Sequence, residues 1–175
     1  MNTVKIALLI YLLAGITYLN SGCSTTKEKM DNTSSAEALV KESSISELNL
    51  LLSPMGIDLD RDLEMDAVAL QLFAGKEGKS KGVQIMQGEV KITLFDGIIQ
   101  PGTSELPPVL KEWKYSSEDL VKYAKKSMLG IGYEFLLIWD KDNRPKSNKV
   151  MVSVEYYDSN GTVVRSAPGI IPLNL

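Results

Sequence analysis

The chain has 175 residues, of which 44% are apolar and 23% are charged, and its formal net charge is −3. These values are typical of one globular domain. It contains no histidine and one cysteine, which excludes histidine-based catalysis, histidine metal ligands, a Cys–His dyad and an intramolecular disulfide.

An apolar segment lies near the start of the chain. Residues 6–19 carry no charge and follow Lys5, the only charged side chain before position 27. As a helix this run spans about 21 Å, which is short for a bilayer core of about 30 Å and typical of a secretory signal peptide. Two small residues then precede the lone Cys23. We therefore predict that residues 1–22 are a signal peptide and that the protein is exported.

The sequence Leu-Asn-Ser-Gly-Cys that ends at Cys23 resembles the lipobox of bacterial lipoproteins, in which the cysteine is lipidated and becomes the mature N-terminus. The family usually has leucine three residues before the cysteine, where this chain has Asn20. The resemblance implies a palmitate-bearing Cys23, and two or more acyl chains hold a protein stably on a membrane. The alternatives are a plain secretory signal whose cleavage leaves a free thiol, and an uncleaved anchor.

The same resemblance bears on localisation. Ser24 stands directly after the cysteine, where an aspartate would favour retention in the inner membrane. The resemblance therefore implies the outer membrane, with the folded domain in the periplasm or at the cell surface.

A polar segment follows the cysteine. Residues 24–35 are rich in serine and threonine and short of large apolar side chains, a composition typical of a tether. A coil that continues to Ser46 spans roughly 26 Å. We therefore predict that residues 23–46 are the lipidated cysteine and its tether, and that residues 47–175 are the folded domain.

A short helix is predicted where the tether meets the domain, within residues 36–52. Ser44 and Glu47 have the spacing of a capping box, and three leucines near positions 48–52 fall on one helical face. Ser53 and Pro54 then end the pattern.

From Ala67 onward the apolar residues recur mostly at every second position, the period of a strand with one buried face. The predicted strands cover 67–73, 88–95, a short stretch around Trp113 and Tyr115, 132–139, 149–157, 162–166 and 170–173. Asn160 and Gly161 favour a tight hairpin with positive φ at both residues.

One helix interrupts the strands. Ser116 or Ser117 can cap it, Leu120, Ala124 and Met128 share a face, and Gly130 marks its end. About seven strands with one short inserted helix predict an all-β sandwich of immunoglobulin-like or transthyretin-like type.

The arrangement from Leu110 to Trp139, with its capped helix and its glycines before an aromatic strand, resembles a family of uncharacterised exported bacterial lipoproteins with one small β domain. That family has no assigned activity, so the resemblance supports the location and the sandwich and implies no reaction.

Five acids at every second position form the most unusual local pattern: Asp58, Asp60, Asp62, Glu64 and Asp66. In an extended segment they lie on one face, where their oxygens suit Ca²⁺. The pattern begins like an EF-hand loop but has Leu63 in place of the required glycine and Ala69 in place of the required glutamate, so the EF-hand interpretation fails. The candidate metal ligands are Asp58, Asp60 and Asp62, and the alternative is a solvated strand face.

Two other groups of residues have a binding and a structural interpretation. The aromatic residues Trp113, Tyr115, Tyr133, Trp139, Tyr156 and Tyr157 form either a sugar-stacking platform or the core of the sandwich. The basic stretches 76–81 and 141–149 either contact anionic polymers or lipid headgroups, or are solvated loops. The net negative charge argues against nucleic acid as a partner.

Residues for catalysis are few. The Ser-x-x-Lys spacing from Ser24 to Lys27 lies in the predicted tether, and no glycine-rich phosphate loop is found. The sequence predicts a non-catalytic, lipid-anchored envelope module with a structural, accessory or protein-binding role. The alternative is a protein that binds carbohydrate or another envelope polymer, assisted by Ca²⁺. No cofactor is expected beyond the covalent lipid and this Ca²⁺.

Overall fold

The computed structural model describes residues 44–173. In this part of the chain nine strands are joined by short helical turns and loops. In chain order they are β1 (Glu47–Leu52), β2 (Ala67–Gly75), β3 (Glu89–Asp96), β4 (Val109–Ser116), the one-turn helix α1 (Ser117–Leu120), a 3₁₀ turn (Val121–Tyr123), β5 (Ala124–Ser127), β6 (Gly130–Ile138), a 3₁₀ turn (Lys141–Asn143), β7 (Lys149–Tyr157), β8 (Val163–Arg165) and β9 (Gly169–Pro172). The signal peptide, Cys23 and most of the tether predicted above lie outside these residues.

The strands form two antiparallel sheets. The first sheet has the order β1-β2-β6-β5, and the second has the order β4-β3-β7-β8, with β9 also paired to β7. The fold is therefore an all-β sandwich, as the sequence predicts. The two strands beyond the seven expected are β1 and β5, which the sequence assigns to helices.

The core lies between the inner faces of the two sheets. Val68, Leu70 and Leu72 of β2 are buried in this core, and so are Val90 and Ile92 of β3. This alternation follows from the opposite directions of successive side chains in a strand. The described core runs from Ile45 to Leu173, so residues 44–173 contain a core of their own and we expect them to fold without the preceding segment.

The helix predicted within residues 36–52 is wrong over its described part, where β1 is found. Leu48, Leu50 and Leu52 alternate toward the core and pair with β2 along all six residues of the strand. The leucines fit a period of two as well as a helical one, and β2 supplies backbone hydrogen-bond partners that an isolated helix would not gain.

The helix predicted to run to Gly130 ends after one α turn and one 3₁₀ turn. Its cap is found: the Ser116 Oγ accepts a hydrogen bond from the Asp119 backbone N–H at 3.2 Å. Beyond Tyr123 the chain becomes β5 and pairs with the edge of β6, and Met128, expected on the buried helix face, is 90% exposed. Within residues 44–173 none of the helical turns is long and apolar enough to cross a membrane.

The hairpin at Asn160 and Gly161 is present with a different turn from the one predicted. Only Gly161 has positive φ, at 81°. The Asp158 carbonyl accepts a hydrogen bond from the Gly161 N–H at 3.0 Å, and the Asp158 N–H donates to the Thr162 carbonyl at 2.9 Å. A three-residue loop therefore joins β7 to the return strand, with glycine in the left-handed position.

Candidate functional site

Residues 57–66, which hold the five alternating acids, do not form the extended segment predicted from the sequence. The backbone bends here, with positive φ at Arg61 (67°) and Leu63 (70°). The carboxylate of Asp58 accepts hydrogen bonds from the backbone N–H groups of Arg61 (2.6 Å) and Leu63 (3.0 Å). Aspartate side chains that bond the nearby backbone favour turns over strands, and the acids therefore do not share one face.

Three carboxylates meet in this acidic loop. Asp58, Asp60 and Asp66 each place an oxygen within 4.8 Å of the others. Of the predicted ligands, the structure brings Asp58 and Asp60 together, and Asp66 takes the position expected for Asp62. Asp66 is buried and accepts a hydrogen bond from the Leu59 N–H at 2.9 Å. Carboxylate oxygens suit Ca²⁺, and cation binding by this loop stays a prediction.

Two basic residues of the chain contact these acids. The Nζ of Lys141 lies 2.6 Å from a carboxylate oxygen of Asp60. Arg144 lies 3.6 Å from Asp66 and also contacts Glu64. The hydrogen bond from Lys141 is the main cause that lowers the pKa of Asp60, and the same bond raises the pKa of Lys141. Part of the basic stretch that begins at Lys141 thus docks on the acidic loop.

Replacing Arg144 with glutamine is expected to lower the free energy of unfolding by roughly 1–2 kcal/mol, because the buried Asp66 loses its cation. Millimolar Ca²⁺ is expected to raise the Tm of this variant more than that of the wild type, because the ion takes oxygen ligands and replaces the lost charge. Thermal unfolding followed by circular dichroism measures both effects. Lys146→Gln, at a nearby exposed lysine, is the control. No Ca²⁺-dependent change in Tm in either protein would contradict cation binding by the loop, and equal positive shifts would contradict replacement of the Arg144 charge by the ion.

The aromatic side chains do not form an exposed row. Within residues 44–173, Tyr133, Trp139 and Tyr156 are buried, and Trp113, Tyr115 and Tyr157 are half-buried. The rings of Tyr115, Tyr123 and Phe135 pack together, with centroids 4.9–5.1 Å apart. These rings stabilise the sandwich, and the described part of the chain presents no planar platform on which a sugar would stack.

Two of these tyrosines are expected to ionise at unusually high pH. Burial is the main cause that raises the pKa of Tyr156 to about 12, and the neighbouring Asp158 carboxylate adds to it. Burial also raises the pKa of Tyr115 to about 12, with Tyr123 as the second cause. The pKa values of both phenols are higher in the folded than in the unfolded protein. Their contribution to the free energy of unfolding is therefore fully present below a pH of about 10 and is lost as the pH rises further.

An alkaline titration checks this expectation. Phenolate absorbance and circular dichroism are followed on the same sample. The increase in absorbance from the tyrosines that ionise last should coincide with the loss of the circular dichroism signal of the folded protein. Ionisation of every tyrosine at its ordinary pKa in a protein that stays folded would contradict the burial of Tyr156 and Tyr115.

The outer face of the first sheet carries a group of exposed aliphatic side chains. Leu51 is 52% exposed, Leu136 48% and Ile138 44%, and together with Ala69 we call them the aliphatic face. They lie on β1, β2 and β6, where Ala69 is paired with Leu136. A shallow depression of about 490 Å³ is lined by Leu51, Ala69 and Leu136 among others.

Two polar side chains border the aliphatic face. The Gln71 Nε2 donates a hydrogen bond to the Glu134 Oε1 at 3.4 Å, and Gln71 is paired with Leu51 in the sheet. Sequence reasoning missed this surface. Its signal is the unbroken apolar run from Phe135 to Trp139, because a strand with apolar residues at successive positions has two apolar faces.

Comparison with known proteins leaves the chain without an assigned family. No protein-family model and no curated protein matches it. Among solved structures, pectate lyase Pel3 from Pectobacterium carotovorum is similar at 14% identity and a TM-score of 0.31, over 71% of this chain. The matched part spans 27% of the length of that lyase.

Proposed function

We propose that the protein is a lipid-anchored, non-catalytic module of the bacterial cell envelope that binds another envelope protein through the aliphatic face. The observation that carries this proposal is the cluster of three large aliphatic side chains, each about half exposed, on the outer surface of the first sheet. Contiguous apolar patches on soluble domains usually mark interaction surfaces.

The chemistry of the aliphatic face indicates the kind of partner. Leu51, Leu136 and Ile138 offer an apolar centre that another protein can desolvate, and the hydrogen-bonded Gln71 and Glu134 lie at its border. An apolar centre with a polar border is the usual anatomy of a protein interface. The expected partner therefore presents apolar side chains, with a hydrogen-bond donor opposite the Glu134 carboxylate.

Two further observations support a binding role without catalysis. The chain has no histidine, and within residues 44–173 the acids that come together are engaged by backbone N–H groups, Lys141 or Arg144. The buried aromatic residues favour protein binding over the carbohydrate alternative, which needs exposed rings. Export and lipid attachment rest on the signal-like segment and on Cys23.

Site-specific photocrosslinking in cells tests the proposal. A photoreactive amino acid is placed at Leu136, in the aliphatic face, and at Leu106, which is 60% exposed in the loop between β3 and β4. We expect a discrete protein adduct at position 136 and none at position 106. A probe at Leu51, on the edge strand β1 of the same sheet, is expected to trap the same protein, which mass spectrometry then identifies.

The same experiment can overturn the proposal. Equal labelling at positions 136 and 106, or no protein adduct at positions 136 and 51, would show that the aliphatic face does not bind a protein. An adduct with polysaccharide alone would favour the carbohydrate alternative.

A further inference from the structure

One end of the sandwich combines exposed lysines with two exposed apolar side chains. The loop after β2 carries the half-buried Lys76 and the exposed Lys79 and Lys81. The strand β5 carries the exposed Lys125 and Lys126, and the β5–β6 hairpin has Met128 and Leu129 at its tip. We call this set of residues the basic end. Met128 is 90% exposed and Leu129 58%, which places two large apolar groups in solvent among the lysines.

Backbone hydrogen bonds hold the loop and the hairpin tip together. The Gly82 N–H donates to the Leu129 carbonyl at 2.8 Å, and the Ile131 N–H donates to the Gly82 carbonyl at 2.9 Å. Gly130 has φ of 102°, and a Cβ there would collide with the backbone of Gly82. This close approach requires glycine. The lysines of the loop and the tip of the hairpin therefore form one surface, and a depression of about 220 Å³ is lined by Lys79, Lys81 and Leu129 among others.

The charge of this surface is largely uncompensated. Across residues 44–173, the ion pairs of the structure involve none of the five lysines of the basic end. Two carboxylates belong to the same region: Glu47 lines the depression beside Lys79 and Lys81, and Glu77 lies in the same loop. Apolar side chains surrounded by cationic groups are typical of surfaces that bind the interface of anionic membranes.

The described chain also begins at this end. Ser46 donates its N–H to the Gly75 carbonyl at 2.9 Å, directly before Lys76, and Ile45 is buried. The described part of the chain therefore begins beside the basic loop. Twenty residues separate Cys23 from Ser44. As the coil predicted from their composition they would span roughly 25 Å, so the proposed lipid on Cys23 would keep this end close to the bilayer.

We propose that the basic end docks on an anionic phospholipid surface, with Met128 and Leu129 inserted between headgroups and the lysines next to lipid phosphates. The proposal deepens the proposed function, since it rests on membrane attachment through Cys23. It adds a second membrane contact, which fixes the orientation of the domain. Its test uses protein without a lipid, so that docking of the basic end and anchoring through Cys23 can fail separately.

Vesicle cosedimentation tests the docking. Residues 24–175 are mixed with vesicles of phosphatidylcholine alone, or of phosphatidylcholine and phosphatidylglycerol in equal parts. We expect binding to the anionic vesicles only, and weaker binding at higher salt. The double variant Lys79→Ser with Lys81→Ser is expected to weaken binding roughly 20- to 30-fold. Each lysine near an anionic surface contributes about fivefold to the affinity, and the two losses multiply. The matched control is Lys114→Ser with Lys146→Ser, which removes the same charge from exposed lysines elsewhere in the domain.

The apolar tip separates a lipid surface from other polyanions. Met128→Ser with Leu129→Ser is expected to weaken vesicle binding roughly tenfold or more, and to leave the circular dichroism spectrum unchanged because both side chains are exposed. Three results would each overturn the proposal. The first is no binding to anionic vesicles, and the second is an equal loss of binding in the test and control lysine variants. The third is binding to soluble dextran sulfate that is as strong as binding to vesicles and is unchanged by Met128→Ser with Leu129→Ser. Proposed anchoring through Cys23 would survive all three results.

Discussion

Replacing Cys23 with serine is expected to move the protein from the membrane to the soluble fraction and to abolish its labelling with palmitate. The thiol at this position is the only one in the chain, so serine removes the sole atom to which a thioether-linked lipid can be attached. Each buried CH₂ of an acyl chain contributes about 0.8 kcal/mol to membrane binding. Loss of all chains leaves only the much weaker contact proposed for the basic end, which high salt reduces. Fractionation after a salt wash, with metabolic labelling, measures the effect.

Ser24→Ala is the matched control for this prediction. It changes the adjacent residue, keeps the thiol and is expected to leave both palmitate labelling and membrane recovery intact. Labelling that persists in Cys23→Ser would rule out lipidation at this position. A Cys23→Ser protein that stays on the membrane without a label would favour the uncleaved anchor.

Replacing Leu72 with alanine is expected to lower the free energy of unfolding by about 2–5 kcal/mol, the usual cost of a large cavity in a core. Leu72 is fully buried in β2, an inner strand of the first sheet, between its paired residues Leu50 and Tyr133. Neighbours on both strands limit the collapse of the cavity. Urea unfolding followed by tryptophan fluorescence and circular dichroism gives the change.

Leu136→Ala is the control on the opposite face of the same sheet. Leu136 is 48% exposed, and its truncation is expected to change stability by no more than about 0.5 kcal/mol. Its effect should instead fall on the crosslink to the proposed partner protein. If Leu72→Ala and Leu136→Ala destabilise equally, the assignment of inner and outer faces of the first sheet is wrong.

Local alternation was sufficient to predict most of the strands. The strand β7 covers Lys149–Tyr157, the range that its valines and tyrosines predict, because every second side chain enters the core. The sequence failed where an element depends on a distant partner. Ala124–Ser127 has weak preference of its own and becomes a strand because the edge of β6 offers backbone hydrogen-bond partners.

The candidate sites show the same limit. The spacing of the acids predicts that Asp58 and Asp60 belong to one site. Lys141, which contacts Asp60, and Arg144, which contacts Asp66, lie some eighty positions further along the chain, and nothing local predicts these contacts. The aliphatic face likewise requires β1, β2 and β6 to lie side by side, whereas the sequence suggests a helix in place of β1. Surfaces assembled from distant segments follow from topology, which one sequence does not specify.

The pairing of β1 with β2 has a mechanical consequence for an anchored protein. The described chain joins the core at Ile45, and β1, which follows from Glu47, is fixed to β2 by six residue pairs. If Cys23 carries the proposed lipid, a pull on it that is directed along this strand would load the hydrogen bonds in shear, all at once, whereas a pull across the strand would open them one by one. The hydrogen bonds that complete the first sheet would thus also set how much force on the proposed tether the edge of the domain withstands before β1 is pulled from β2.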